Sequence, residues 1–133
     1  MSDHPGVIPM IAYENGPEAM DWLIRAFGFK ERDRRVEAGR LTHGELDTGG
    51  GVVMLATPSL HYHGPKRHRE ECDTARAWHD VPYIIDGVLV YVDDIDSHYR
   101  RAKENGATIL SALEDKRYRA EDLEGHRWMF LQR

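Results

Sequence analysis

The chain has 133 residues, 41% of them hydrophobic and 31% charged, with a formal net charge of −5. That length suits one core rather than two, and the acidic balance argues against a nucleic-acid surface, although Arg and Lys cluster locally. No apolar run approaches the roughly 20 residues of a membrane span, Met1–Val7 lacks the apolar stretch of a signal peptide, and Cys72 has no second cysteine to pair with. A reducing cytoplasm is the expected location, with no nucleic acid and no membrane as partner.

Residues 1–6 read as a frayed end, and Val7–Tyr13 as an apolar strand. Asn15-Gly-Pro-Glu opens a helix, with Asn15 or Gly16 as N-cap and Pro17 in the first turn, where a missing N–H costs nothing. Ala19, Met20, Leu23, Ala26 and Phe27 form its apolar stripe, Trp22 flanks it, and Gly28 closes it. Lys30–Ala38 is charged enough to predict an edge strand. Arg40–Asp47 and Gly51–Thr57 follow as strands joined by a glycine-rich turn.

Residues 58–83 interrupt this pattern with three prolines, four histidines and many charges. A structureless loop of that length is unusual inside a compact domain, so a short helix around Lys66–Trp78 is expected, in a lid or partner surface. Cys72, in this charged run, lacks the flanking residues of a nucleophile motif.

Gly87–Val92 predicts a second apolar strand. Asp93-Asp-Ile-Asp then offers N-caps for a helix reaching Asn105, with basic residues toward its negative end and Gly106 beyond. Thr108–Leu113 is a strand. Tyr118–Gln132 is a hairpin in which Asp122 caps the turn, Gly125 takes the φ > 0 position, and Trp128 and Phe130 alternate with Arg127, Met129 and Leu131. Trp22, Trp128 and Phe130 are expected in the core. Strand, helix and strands thus occur twice, at a spacing of about 75–80 residues, the mark of an internal repeat.

Arg-Ala-Phe-Gly-Phe at 25–29, His43-Gly-Glu-Leu, Val52-Val-Met-Leu, Val92-Asp-Asp-Ile-Asp and Glu121-Asp-Leu-Glu-Gly-His-Arg-Trp follow one another in this order. Together they resemble the vicinal oxygen chelate superfamily, which holds glyoxalase I, bleomycin- and fosfomycin-resistance proteins and extradiol dioxygenases, and in particular its small PhnB-like members. The resemblance covers nearly all of the chain outside 58–83. It implies an α+β fold of two βαβββ modules (about 7–57 and 86–132), with curled mixed sheets around a cleft, commonly in a homodimer. It also implies His and Glu metal ligands at four positions that here carry Ile8, Met54, Gly87 and Met129. None of these holds a divalent cation well, a thioether included, so neither the usual metal site nor another cofactor is expected.

The remaining cleft would be lined by Met10, Ala12, Val52, Met54, Leu89, Tyr91, Arg127 and Met129. Apolar walls with a few polar groups suit a small-molecule ligand, and methionines suit adaptable binding or simply fill space. His43 and Glu45, two apart on a strand, admit three readings: a base with its orienting carboxylate, two ligands of a displaced metal site, or a cross-strand polar pair. His61, His63, His68 and His79 match no zinc spacing, and His126 is expected to be structural. Arg32, Arg34, Arg35, Arg117 and Arg119 either line an anion cleft or form a solvated face threaded by acidic residues.

The expected function is a metal-free, sequestering homodimer that binds a small molecule. The alternative is a lyase or dioxygenase using one divalent metal ion at a displaced site, with His43 and Glu45 as catalytic candidates. The second alternative is a structural or regulatory dimer without a ligand.

Overall fold

The computed structural model describes residues 3–82 and 86–133. Tyr83, at the end of the expected lid segment, and Met1 and Ser2, at the expected frayed end, lie outside them. The first module runs β1 (Met10–Ala12), α1 (Gly16–Phe27), β2 (Lys30–Glu37), β3 (Arg40–Asp47) and β4 (Val52–Ala56). Two short helices follow, α2 (Pro65–Glu71) and α3 (Asp73–Trp78). The second module is β5 (Gly87–Tyr91), α4 (Ile95–Glu104), β6 (Thr108–Glu114), β7 (Arg117–Glu121) and β8 (Arg127–Leu131). Each module makes a four-stranded sheet of the same order, β1-β4-β3-β2 and β5-β8-β7-β6, with the first and last strands parallel. The α+β architecture of two βαβββ modules is the one expected.

Local chemistry sets the helix ends. Asn15 accepts a hydrogen bond from the Glu18 amide at the start of α1, and Gly28 closes the helix at φ 73°. Asp94 likewise caps α4 by accepting from the Ser97 amide. Arg101 of α4 donates to the carbonyls of Arg25 and Ile24, capping the last turn of α1 from the other module. Trp22 Nε1 donates to the Asn105 carbonyl in return.

The two modules share one core. Phe27 of α1 packs edge-on against Trp128 and Phe130 of β8, with ring centroids 5.6 and 4.7 Å away. Tyr13, Leu23, Leu46, Leu55 and Tyr118 belong to the same cluster. Alternation does the sorting: Val53 and Leu55 face inward on β4, whereas Met54 and Ala56 face away.

Two expectations are corrected. The strand predicted over Val7–Tyr13 is confined to Met10–Ala12, because Pro9 has no N–H to donate and serves only as acceptor for the Met54 amide. The single helix expected around Lys66–Trp78 is two helices, parted at Cys72, whose backbone is extended. The run Cys72-Asp-Thr, poor in helix propensity, sits at the break.

His98 of α4 is partly buried at the edge of this core. Its Nδ1 pairs with Tyr118 Oη at 2.7 Å and its Nε2 with the Phe27 carbonyl at 2.9 Å. Burial, helped by the charge of Arg101, pulls its pKa from 6.5 down to about 4. The unfolded chain therefore takes up this proton first, so the contribution is complete above about pH 6.5 and is lost as pH falls toward 4. The full loss is on the order of 3 kcal/mol. Urea midpoints measured at pH 7 and pH 4.5 should show the fall, and His98→Gln, though less stable at pH 7, should flatten it.

Candidate functional site

The sheet faces turned away from the helices carry the apolar side chains that the core does not use. On the first module, Met10 and Met54 sit opposite one another across the parallel pair, as do Ala12 and Ala56. With His43 and Pro58 they line an open hollow of about 230 Å³. Met10 is 82% exposed. On the second module, Leu89 and Met129 are the corresponding pair, and Leu89 is 49% exposed. They line a second hollow of about 230 Å³ with Arg119, Arg127 and Pro82. A groove of about 340 Å³, bordered by Met10 and Ala12 on one side and Gly87, His126 and Arg127 on the other, runs between the modules.

Six of the eight expected cleft residues thus fall along these connected surfaces. Two do not. Val52 is buried and lines none of these hollows, and Tyr91 lies in a separate groove with Phe27, His98 and Arg101, its ring beneath the Arg133 guanidinium at 3.9 Å. Arg127 is positioned as expected but is not free to meet a ligand. Its Nε donates to Glu121 at 3.1 Å, and its two terminal nitrogens donate to the carbonyls of His79 and Val81.

Those bonds dock the segment after β4. Arg69 of α2 reaches the same Glu121 carboxylate at 2.6 Å, and Lys66 N–H donates to the Glu124 carbonyl. Glu14 accepts from Gly64 N–H and from Arg67. Both ends of the segment border a hollow, through Pro58 on the first and Pro82 on the second.

The polar candidates separate cleanly. His43 Nε2 lies 2.7 Å from Glu45 Oε2, as the two-residue spacing implies. Two further residues join them that no local signal marks: Asp33 of β2 and His4, whose Nε2 is 2.5 Å from Glu45 Oε1. Hydrogen bonds from His43 and His4 hold the Glu45 carboxyl below its ordinary range. The other histidines are dispersed: His63 pairs with Glu71, His68 meets Trp78 edge-on, and His79 Nδ1 pairs with the Ala75 carbonyl. His126 Nε2 pairs with the Ala12 carbonyl, tying β1 to the final hairpin. Arg32, Arg34 and Arg35 pair with Asp3, with Asp21 and Glu31, and with Asp33, whereas Arg117 and Arg119 lie on the other sheet.

The positions that the resemblance assigns to a metal do not fit one. Met54 and Met129 face Met10 and Leu89 in register, so the outer face at those points is thioether and hydrocarbon.

Residues 5–130 match the model of the Glyoxalase/Bleomycin resistance protein/Dioxygenase superfamily. An uncharacterized protein of Mycobacterium bovis is 30% identical over 130 residues, spanning 93% of this chain and 80% of its own length. TioX from Micromonospora sp. ML1 is similar in structure, with a TM-score of 0.69, 33% identity and coverage of 97% of this chain and 96% of its own. The fosfomycin resistance protein FosX from Mesorhizobium loti shares the fold at 12% identity, with a TM-score of 0.63 over 98% of this chain and 92% of its own. Among the described residues no helix is long and apolar enough to cross a membrane.

Proposed function

This chain belongs to the glyoxalase/bleomycin resistance protein/dioxygenase superfamily, and on that footing we propose that it binds and sequesters a small molecule without turning it over. The ligand sits in a cleft completed by a second copy of the chain, with no metal at the family's usual positions. The observation that carries this reading is the pair of apolar outer faces. Met10, Met54, Leu89 and Met129 are turned to solvent although the core has apolar material enough without them.

Each of the two hollows alone is smaller than the roughly 300–1,000 Å³ of a drug-sized site, and the groove between the modules reaches only its lower end. Two of them brought face to face reach that range, and the same step covers Met10 and Leu89. Methionine walls adapt to a flat or irregular guest, so aromatic molecules are the expected class.

A thermal-shift screen of aromatic and cationic compounds, run with size-exclusion chromatography, tests the reading. A saturable rise in Tm and elution as a dimer are expected. Met10→Asp, at a position that costs the single chain little, should weaken both dimerisation and binding by at least about tenfold, since a buried carboxylate would face the partner. A dimer that no compound stabilises would favour a purely structural assembly. A monomer indifferent to every compound would end the proposal.

A further inference from the structure

Apart from the hollows, one cluster of side chains among the described residues has the composition of a ligand set. Asp33, His43 and Glu45 each offer a ligand atom, and these atoms all lie within 4.8 Å of one another. The backbone arranges this by a specific irregularity. Glu31 pairs with Leu46 and Asp33 with Glu45, so β2 takes two residues where β3 takes one. The bulge at Arg32 turns Asp33 onto the face of Glu45; a regular ladder would send it to the opposite face. His43 shares that face because it is two residues from Glu45. His4 reaches the same carboxylate from the other side, so both imidazoles direct Nε2 at Glu45, one to each oxygen, at 2.5 and 2.7 Å.

The geometry points to a divalent metal site held by Asp33, His43 and Glu45 on the β2–β3 ladder, with His4 of the N-terminal arm as a fourth ligand. Two imidazole nitrogens and two carboxylates suit zinc, and also manganese, iron or nickel. The present spacing is that of hydrogen bonds. A tetrahedral ion with bonds of about 2.0–2.1 Å holds its ligand atoms roughly 3.3 Å apart, so admitting it requires the three ladder side chains, whose ligand atoms lie within 4.8 Å of one another, to adjust around it and His4 to be drawn in from its contact with Glu45. Glu45 is 7% exposed and Asp33 partly so, leaving the ion reachable from solvent on the Asp33 side.

The cluster's other partners are cationic or amide donors that a metal displaces or leaves in place. Arg32 Nε lies 3.6 Å from Glu45, while its terminal nitrogen already bonds Asp3. Arg34 N–H donates to Asp33, and Arg35 Nε lies 3.3 Å from its other oxygen as an ion pair. None of the ligands coincides with the positions that the family resemblance assigns. The site is also independent of the cleft reading, since an ion here adds to the wall of the first hollow only through His43.

Untagged protein, stripped with a chelator and dialysed, would be titrated with zinc, manganese, ferrous iron and nickel by calorimetry, then desalted and assayed for metal. One ion retained per chain is expected for at least one of the four. His43→Gln and Glu45→Gln should each weaken its binding by at least about 100-fold, more than loss of an outer-shell partner does. His61→Gln with His63→Gln serves as a histidine control and should bind like the parent. Because Glu45→Gln disturbs a buried group, His4→Ala, at the exposed arm, supplies a variant that folds regardless and should weaken binding by about tenfold. No retained ion in the parent, or parent-like binding by His43→Gln in folded protein, would overturn the site. The thermal-shift result for aromatic ligands is read separately, so either proposal fails without the other.

Discussion

Asp122→Ala is expected to remove a large share of the chain's stability at room temperature. Asp122 is 4% exposed, and its carboxylate accepts four hydrogen bonds: from Tyr13 Oη at 2.5 Å, Trp128 Nε1 at 3.0 Å, and the amides of Glu124 and His126 at 3.0 and 3.1 Å. Tyr13 and Trp128 are themselves buried, so truncation strands donors that water does not reach. Each orphaned group costs about 1–3 kcal/mol. Even with water reaching the turn amides, the loss is about 4 kcal/mol or more, against a whole stability of roughly 5–15 kcal/mol. Asp122→Asn should be milder, about 2 kcal/mol, because it keeps an acceptor for the amides but turns an NH₂ toward either Tyr13 or the indole N–H. Denaturation followed by tryptophan fluorescence would measure both. Parent-like stability of the alanine variant would mean that the turn is held by something other than this carboxylate.

Replacing Arg127 by Met should cost about 3 kcal/mol and free the segment between the modules. Arg127 is 5% exposed and Glu121 2%, and removing one member of a buried ion pair leaves the other charge stranded at about 3–5 kcal/mol. Arg69 still reaches Glu121, which places the expected figure at the lower end. The same substitution removes both donors to the His79 and Val81 carbonyls, so trypsin should cut near Arg67, Arg69 and Arg76 far faster than in the parent. Arg127→Met with Glu121→Leu should recover much of the stability while remaining protease-sensitive. That split separates the ion pair's role in the core from the arginine's role as a latch. Equal protease resistance in all three proteins would rule the latch out.

The parts of this molecule that were legible in its sequence are those whose causes are local. Asn15, Pro17 and Gly28 announce α1, alternation announces β4 and β8, and the Gly125 turn announces the last hairpin. The pairing of His43 with Glu45 follows from spacing alone. What stayed hidden depends on partners far along the chain. Period-2 parity assigns Arg127 to the cleft beside Met129, and no local pattern tells that its donors go to carbonyls 46 and 48 residues earlier. Asp33 joins Glu45 only through a bulge, and His4 only because the N-terminal arm folds back over 41 residues. Val52 and Tyr91 show how parity places a side chain on a face without saying what that face meets: Val52 is buried, and Tyr91 lines a different groove.

The shared core has a consequence for synthesis on the ribosome. Tyr13 finds its hydrogen-bond partner 109 residues later and Ala12 its partner 114 residues later, both in the final hairpin. Phe27 waits 101 and 103 residues for Trp128 and Phe130. While the chain is still being translated, the first module can form its sheet and cover part of α1, but Phe27 and Trp22, which pack on the second module, stay open, so chaperone occupancy should persist until the last strand emerges. A message truncated before β8 would yield a product that is degraded rather than half a protein, and the two repeats, however alike in outline, cannot be expressed as separate folded halves.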